Sequence, residues 1–136
     1  MTPDELKKRT KEFSLRVMHV VDALPKSAKA QAIAHQLMRS GTSVAANYRA
    51  ACRSRSRAEF VSKIGVVQEE ADETALWLEL IIDDNILPAA KITALLTEAN
   101  ELVAIMAASC ISARNNGRAG RNYSSKSAIR NQQSAI

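Results

Sequence analysis

The sequence predicts an all-α protein of four helices, and three observations carry that reading. Hydrophobic residues make up 46% of the 136 positions but aromatics only 4%. With alanine abundant, that composition suits close-packed helices better than strands, which favour aromatic and β-branched residues. Four long segments repeat apolar residues at steps of three and four, the helical period. Pro3, Pro25 and Pro88 fall near the ends of these segments and never inside them, where helices tolerate proline. A chain of this length holds one domain with a real core and is too short for two of ordinary size.

The first helix is predicted from Pro3 to about Leu24, with Thr2 as N-cap and Asp4 and Glu5 at the positive end of the helix dipole. Leu6, Phe13, Val17, Val20, Val21 and Leu24 form its apolar stripe. Pro25-Lys26-Ser27 is a short connection, which implies an antiparallel neighbour, and Ser27 caps a second helix running to Cys52 or Arg53. There Ile33, Leu37, Val44, Tyr48 and Cys52 recur at helical spacing, interrupted by Ser40-Gly41, where small residues let a neighbouring backbone come close. Ser56 and Glu59 have the spacing of a capping box, so the third helix starts at Arg57 and runs to about Asp84. Phe60, Ile64, Val67, Ala71, Thr74, Leu78 and Ile81 give it a regular seam, and Val66, Trp77 and Leu80 add a second apolar strip. The fourth helix is expected from Pro88 to about Ala113, with Ile92, Leu95, Ala99, Leu102, Ile105 or Met106, and Ser109 facing inward. Residues 114–136 turn to Asn, Gly, Ser, Arg and Gln without sustained period, which predicts a disordered basic tail beyond a bundle of residues 1–113.

The formal net charge of +5 is misleading until it is divided along the chain. Residues 114–136 carry it all, because residues 1–113 hold 14 basic and 14 acidic side chains. Inside the bundle the charge is polarised: 26–63 sums to +7 and 69–101 to −8. Such an asymmetry is satisfied either by the acidic segment of the same or another subunit, or by an anionic partner. The cluster from Arg49 to Arg57 is of the kind that phosphate binding needs.

Catalysis and metal binding find no support in the residues. There is no nucleophile with a base and an orienting group, no glycine-rich phosphate loop and no metal-ligand cluster. His19 and His35 stand without matching ligands, and the Glu69, Glu70, Asp72, Glu73 patch lacks the Glu-x-x-His element of a di-metal carboxylate bundle. No cofactor or small-molecule substrate is expected. Cys52 and Cys110 are isolated and read as buried thiols, and the charged N-terminus has no signal-peptide pattern, so a cytoplasmic location is expected. No window of 18 uninterrupted apolar residues occurs, so no membrane span is expected.

One constellation resembles a known family. Gln36-Leu37, Arg39-Ser40, Ser43-Val44 and Ala46-Asn47, followed by Glu59-Phe60 and by a glutamate-rich stretch ending in Trp77-Leu78-Glu79-Leu80, is similar to the pattern of the four-helix bundle proteins also called 23S rRNA intervening-sequence proteins. The resemblance spans roughly residues 8–113. Where the common pattern continues from the asparagine with a hydrophobic residue, alanine, glutamate and glycine, this chain has Tyr48-Arg49-Ala50-Ala51, which enlarges the basic patch. The resemblance implies an up-down-up-down antiparallel bundle, often a homopentamer, of largely undefined biochemical function. A similar bundle serves as the accessory variability determinant of diversity-generating retroelements, which binds nucleic acid and a reverse transcriptase.

These readings converge on a non-enzymatic homo-oligomer that binds RNA or DNA phosphates at the turn between helices two and three. Arg39, Arg49, Arg53, Arg55, Arg57 and Lys63 are the candidate binding residues. Tyr48, Val66, Trp77 and Leu80 are the candidates for an oligomer interface, Tyr48 being also the one aromatic placed to stack on a base. The alternative is a protein-interaction assembly in which the basic segment of one subunit meets the acidic helix of another.

Overall fold

A computed structural model describes the backbone of residues 1–121 and the side chains of residues 1–117. Among the described residues there are four helices and no strand: α1 (Pro3–Ala23), α2 (Ala28–Ala51), α3 (Arg57–Asp83) and α4 (Ala89–Arg121). Their ends follow from local chemistry. At α1, Thr2 Oγ1 accepts from the Glu5 N–H at 3.1 Å while the Thr2 N–H donates to the Glu5 carboxylate at 2.9 Å, a complete capping box. Ser27 caps α2 by accepting from the Ala30 N–H. At α3, Ser56 accepts from the Glu59 N–H, but the Glu59 carboxylate reaches one residue further back, to the Arg55 N–H at 3.2 Å. The expected box is therefore half formed, and its second arm pins the basic turn instead.

The α3 end is a Schellman motif. Asn85 takes a positive φ of 53°, and the Ile86 N–H donates to the Ile81 carbonyl while that of Asn85 donates to Ile82. Asparagine accepts the left-handed region more readily than other side-chain-bearing residues do, which suits it to reverse the chain ahead of Pro88.

Pairs of residues in contact show the topology. Val17 meets Gly41 between α1 and α2, Ser40 meets Thr74 between α2 and α3, Val61 meets Cys110 between α3 and α4, and Arg9 meets Glu98 between α1 and α4. Each helix runs antiparallel to the next, giving the up-down-up-down bundle. All seven residues of the expected α3 seam are buried, and Met106 rather than Ile105 fills the inward position of α4.

The fold tightens where α1 crosses α2. A Cβ added at Gly41 would lie 2.5 to 2.9 Å from the side chain of Val17, which is itself fully buried. The missing side chain also opens the backbone: Ser14 Oγ donates to the Gly41 carbonyl at 2.8 Å. On the other side of α2, Thr74 Oγ1 donates to Ser40 Oγ at 2.9 Å. Three helices are thus joined at one level by buried hydroxyls, each with a partner.

Two expectations change. The fourth helix does not end at Ala113: it continues to Arg121, so residues 114–121 belong to the bundle's last helix and not to the tail. Ala113 and Gly117 are buried and extend the seam in small residues, a continuation that a search for large apolar side chains passes over. The predicted disorder of 122–136 lies outside the described residues. In addition, α4 contains a window long and apolar enough to cross a membrane by length and composition alone, which the criterion of an uninterrupted run had not registered. Part of that apolarity is the buried seam from Ile92 to Ala113.

The α1–α4 seam is the least extensive of the four around the bundle. An ion cluster holds it. Arg9 Nη2 lies 2.6 Å from Glu98 and 2.7 Å from Glu101, and the Arg9 hydrogen bonds draw the Glu98 carboxyl below its ordinary range, against the opposing effect of burial.

Two outcomes are expected. Gly41→Ala gains helix propensity of about 1 kcal/mol but forces the Val17 contact apart at a cost of about 1–3 kcal/mol. The Tm should fall, and Val17→Ala should cost less in that background than in the wild type. For Glu98, the lowered folded-state pKa means that its stabilisation is present above the unfolded-state pKa and lost as pH falls through the folded one. Urea midpoints at pH 7 and about pH 3 should therefore differ less in Glu98→Gln than in the wild type.

Candidate nucleic-acid interface

The antiparallel arrangement brings the end of α2, the start of α3 and the end of α4 to one end of the bundle. Arg49 lies in the last turn of α2, Arg53 and Arg55 in the turn, Arg57 at the first position of α3, and Arg114 near the end of α4. Arg49, Arg53, Arg55 and Arg114 are exposed, and none makes an ion pair among the described residues. The Glu59 carboxylate, the nearest acid in sequence, accepts from the Arg55 backbone N–H and not from a guanidinium. The start of α1 lies at this end too, but there Glu5 accepts from the Thr2 N–H and Asp4 lies 3.9 Å from Lys7, so the exposed arginines leave a concentration of positive charge open to solvent.

The other predicted residues divide. Arg39 does not join the cluster. It sits mid-helix, and its guanidinium lies 3.1 Å from Glu70 and also pairs with Glu73, both on α3. Trp77 Nε1 donates to Glu73 at 3.1 Å, so one carboxylate ties the α2 arginine to the α3 tryptophan. Arg39 is one place where the basic and acidic segments meet inside one chain, and Lys29 with Asp84 is another. Arg57 is half-buried and lies along α4: a Cβ at Gly117 would come within 2.6 to 2.7 Å of its Cδ, Nε and Nη1. Its side chain packs along α4, where Gly117 leaves room for it. Lys63 is half-buried, two turns along α3, without an ion pair.

Tyr48 is a correction. It is 0% exposed, between Val44 and Ala51 on the inward face of α2, and burial pushes its phenol well above the ordinary range. A ring in the core neither stacks on a base nor lines a subunit interface. Val66, Trp77 and Leu80, in contrast, share an outward strip of α3, and Leu80 is 39% exposed. Leu76, 47% exposed one turn from Leu80, belongs to the same face and is marked in the sequence by its spacing of four residues from Leu80. Arg114, which the sequence places in the tail, lies on α4 because the seam that extends this helix is built of small residues.

The profile of the 23S rRNA-intervening sequence protein family matches residues 4–108, the greater part of the chain. The chain belongs to this family. A solved structure from Bacteroides thetaiotaomicron, described as a protein of unknown function from the S23 ribosomal protein family, is similar to this member of the intervening-sequence family at 29% identity. The match has a TM-score of 0.74 and covers 81% of this chain and 98% of that one. No curated protein matches the chain. In the Gln36–Asn47 pattern, Leu37, Ser40 and Val44 are the inward positions of α2 around the Gly41 crossing.

The geometry separates paired arginine from unpaired arginine. Arg39→Ala is expected to change the Tm little and leave retention on a phosphate-bearing resin unchanged, whereas the double change Arg53→Ala, Arg55→Ala should shift elution to lower salt without lowering the Tm.

Proposed function

We propose that this intervening-sequence protein is a non-enzymatic homo-oligomeric bundle that binds the phosphates of RNA or DNA through its arginine-bearing end. The observation that carries the reading is the group Arg49, Arg53 and Arg55, exposed together and without carboxylate partners among the described residues. Unpaired arginines at one end repel one another, and a polyanion relieves that repulsion while releasing its own counterions. Arg57 and Lys63 flank the group, and Arg114 adds a charge from α4. With Tyr48 withdrawn into the core, no aromatic from the predicted set is left to stack on bases, so the reading is phosphate binding without sequence preference. The assembly number proposed is the pentamer that the resemblance implies. Free Cys52 and Cys110 fit a reducing cytoplasm.

A second reading has an observation of its own. The pairing of Arg39 with Glu70 and Glu73 is a precedent, within the chain, for α2 cations meeting α3 carboxylates. Extended between subunits, it would use the same arginines to hold the oligomer together.

Fluorescence anisotropy with a labelled DNA duplex separates the two. Three phosphate contacts give a log–log salt slope of about −2.7, which is about a 40-fold loss of affinity between 50 and 200 mM salt. The changes Arg53→Glu and Arg55→Glu together should weaken binding and flatten the slope while the light-scattering mass stays the same. Unchanged affinity would refute the phosphate reading, and a fall in mass would assign these arginines to subunit contacts.

A further inference from the structure

Two surfaces of the bundle have no role in the reading above, and each is the complement of the other. The first is the outward face of α3. Leu76 and Leu80 stand 47% and 39% exposed, with Trp77 half-buried beside them. Exposed carboxylates surround them at Glu69, Asp72, Glu79 and Asp83, and none of the four makes an ion pair among the described residues. On the same side of this helix a Cβ added at Gly65 would meet nothing within 4 Å. A glycine inside a helix costs about 1 kcal/mol relative to alanine, and inside the protomer no close approach accounts for it.

The second surface is a groove of about 270 Å³ on the loose seam between α1 and α4. Below the Arg9–Glu98–Glu101 cluster, Ala23 and Ala94 are too small to close the seam. Val20, Ile92 and Leu95 make an apolar floor, and Arg16, His19 and Lys91 stand at the rim. No carboxylate lines it, and neither Arg16 nor Lys91 makes an ion pair among the described residues. The lining runs along α1 from Arg16 to Ala23, about 10 Å, and Leu76 and Leu80 are separated by about 6 Å along α3. The groove is thus long enough to receive both leucines.

We infer that Leu76 and Leu80 of one protomer seat in the α1–α4 groove of a second copy, with Glu79 and its neighbouring carboxylates facing Arg16, His19 and Lys91. Apolar surface meets apolar surface and the flanking charges are opposite. The two surfaces cannot meet within one chain, because α3 lies diagonally across the bundle from α1. The contact is therefore heterologous: every protomer offers one knob and one groove, and repetition closes a ring or extends a filament. This inference rests on the self-association half of the proposed function. It leaves the arginine end outside the interface, and it assigns the acidic face of α3 to the α1–α4 rim and not to the basic turn.

The test is light scattering on the nuclease-treated full chain. Leu76→Asp with Leu80→Asp removes the knob, and Ala94→Arg blocks the groove; these positions are exposed, and far-UV circular dichroism checks that the helices persist. Each variant alone should have the mass of a monomer. Mixed, they should form a one-to-one heterodimer and nothing larger, because one intact knob and one intact groove remain. As a variant pair less prone to misfold, Glu79→Lys or Lys91→Glu alone should weaken assembly, and the two in one chain should restore it. Wild-type mass in either blocked variant, failure of the mixture to dimerise, or no restoration by the double charge swap would overturn the pairing while leaving self-association standing. A wild-type protein that is monomeric would overturn both.

Discussion

The bundle depends on the absence of one side chain. Gly41 lets α1 approach α2 until Val17 lies against its backbone, and that approach is what allows Ser14 Oγ to reach a helix carbonyl on the neighbouring helix. A buried hydroxyl needs a partner, and here the partner is available only because no Cβ stands in the way. On the opposite side of α2, Ser40 takes the hydrogen bond of Thr74. Two adjacent small residues thus set the level at which three helices meet, and the large side chains above and below pack to suit it. A larger side chain at Gly41 would force α1 away from α2, and an apolar one at Ser40 would remove the hydroxyl that takes the Thr74 hydrogen bond.

Charge is divided by the same geometry. The basic α2 and acidic α3 lie side by side, so some of the opposite charge is spent inside the protomer: Arg39 with Glu70 and Glu73, and Lys29 with Asp84 at 2.6 Å near the other end. Exposed pairs of this kind contribute little to stability, but they decide which cations remain free. Of the basic α2–α3 segment, the cations left unpaired among the described residues lie mostly at the end where the α2–α3 turn and the last part of α4 come together. Gly117 has a part in this second convergence, since it gives Arg57 room to lie along α4 and bring the two strongly basic stretches to one place. A basic turn and a basic α4 end, distant in sequence, become a single electrostatic surface.

The family match covers residues 4–108, most of the four-helix bundle. Within the Gln36–Asn47 pattern on α2, Leu37, Ser40 and Val44 face inward and build the crossing. Residues that distinguish this chain, such as Arg49 in place of part of the usual motif, lie on the exposed end.

By itself the sequence determined the four helices, nearly all their ends and the inward stripe of each, because caps, prolines and apolar spacing are local and the helical period is short. It also marked the Ser40-Gly41 approach and the opposed charges of α2 and α3. Only the tertiary structure decided which neighbour each face meets. Tyr48 fitted the seam and was equally imaginable outside, until α2 turned it into the core; Arg39 and Arg57 belonged to a basic run until α3 and α4 took them up. The end of α4 was hidden because its continuation is written in alanine and glycine, whose burial comes from close approach and not from hydrophobic bulk. Spacing along a helix says which residues share a side, but partners come from other helices, and their distance in three dimensions is not encoded in any local period.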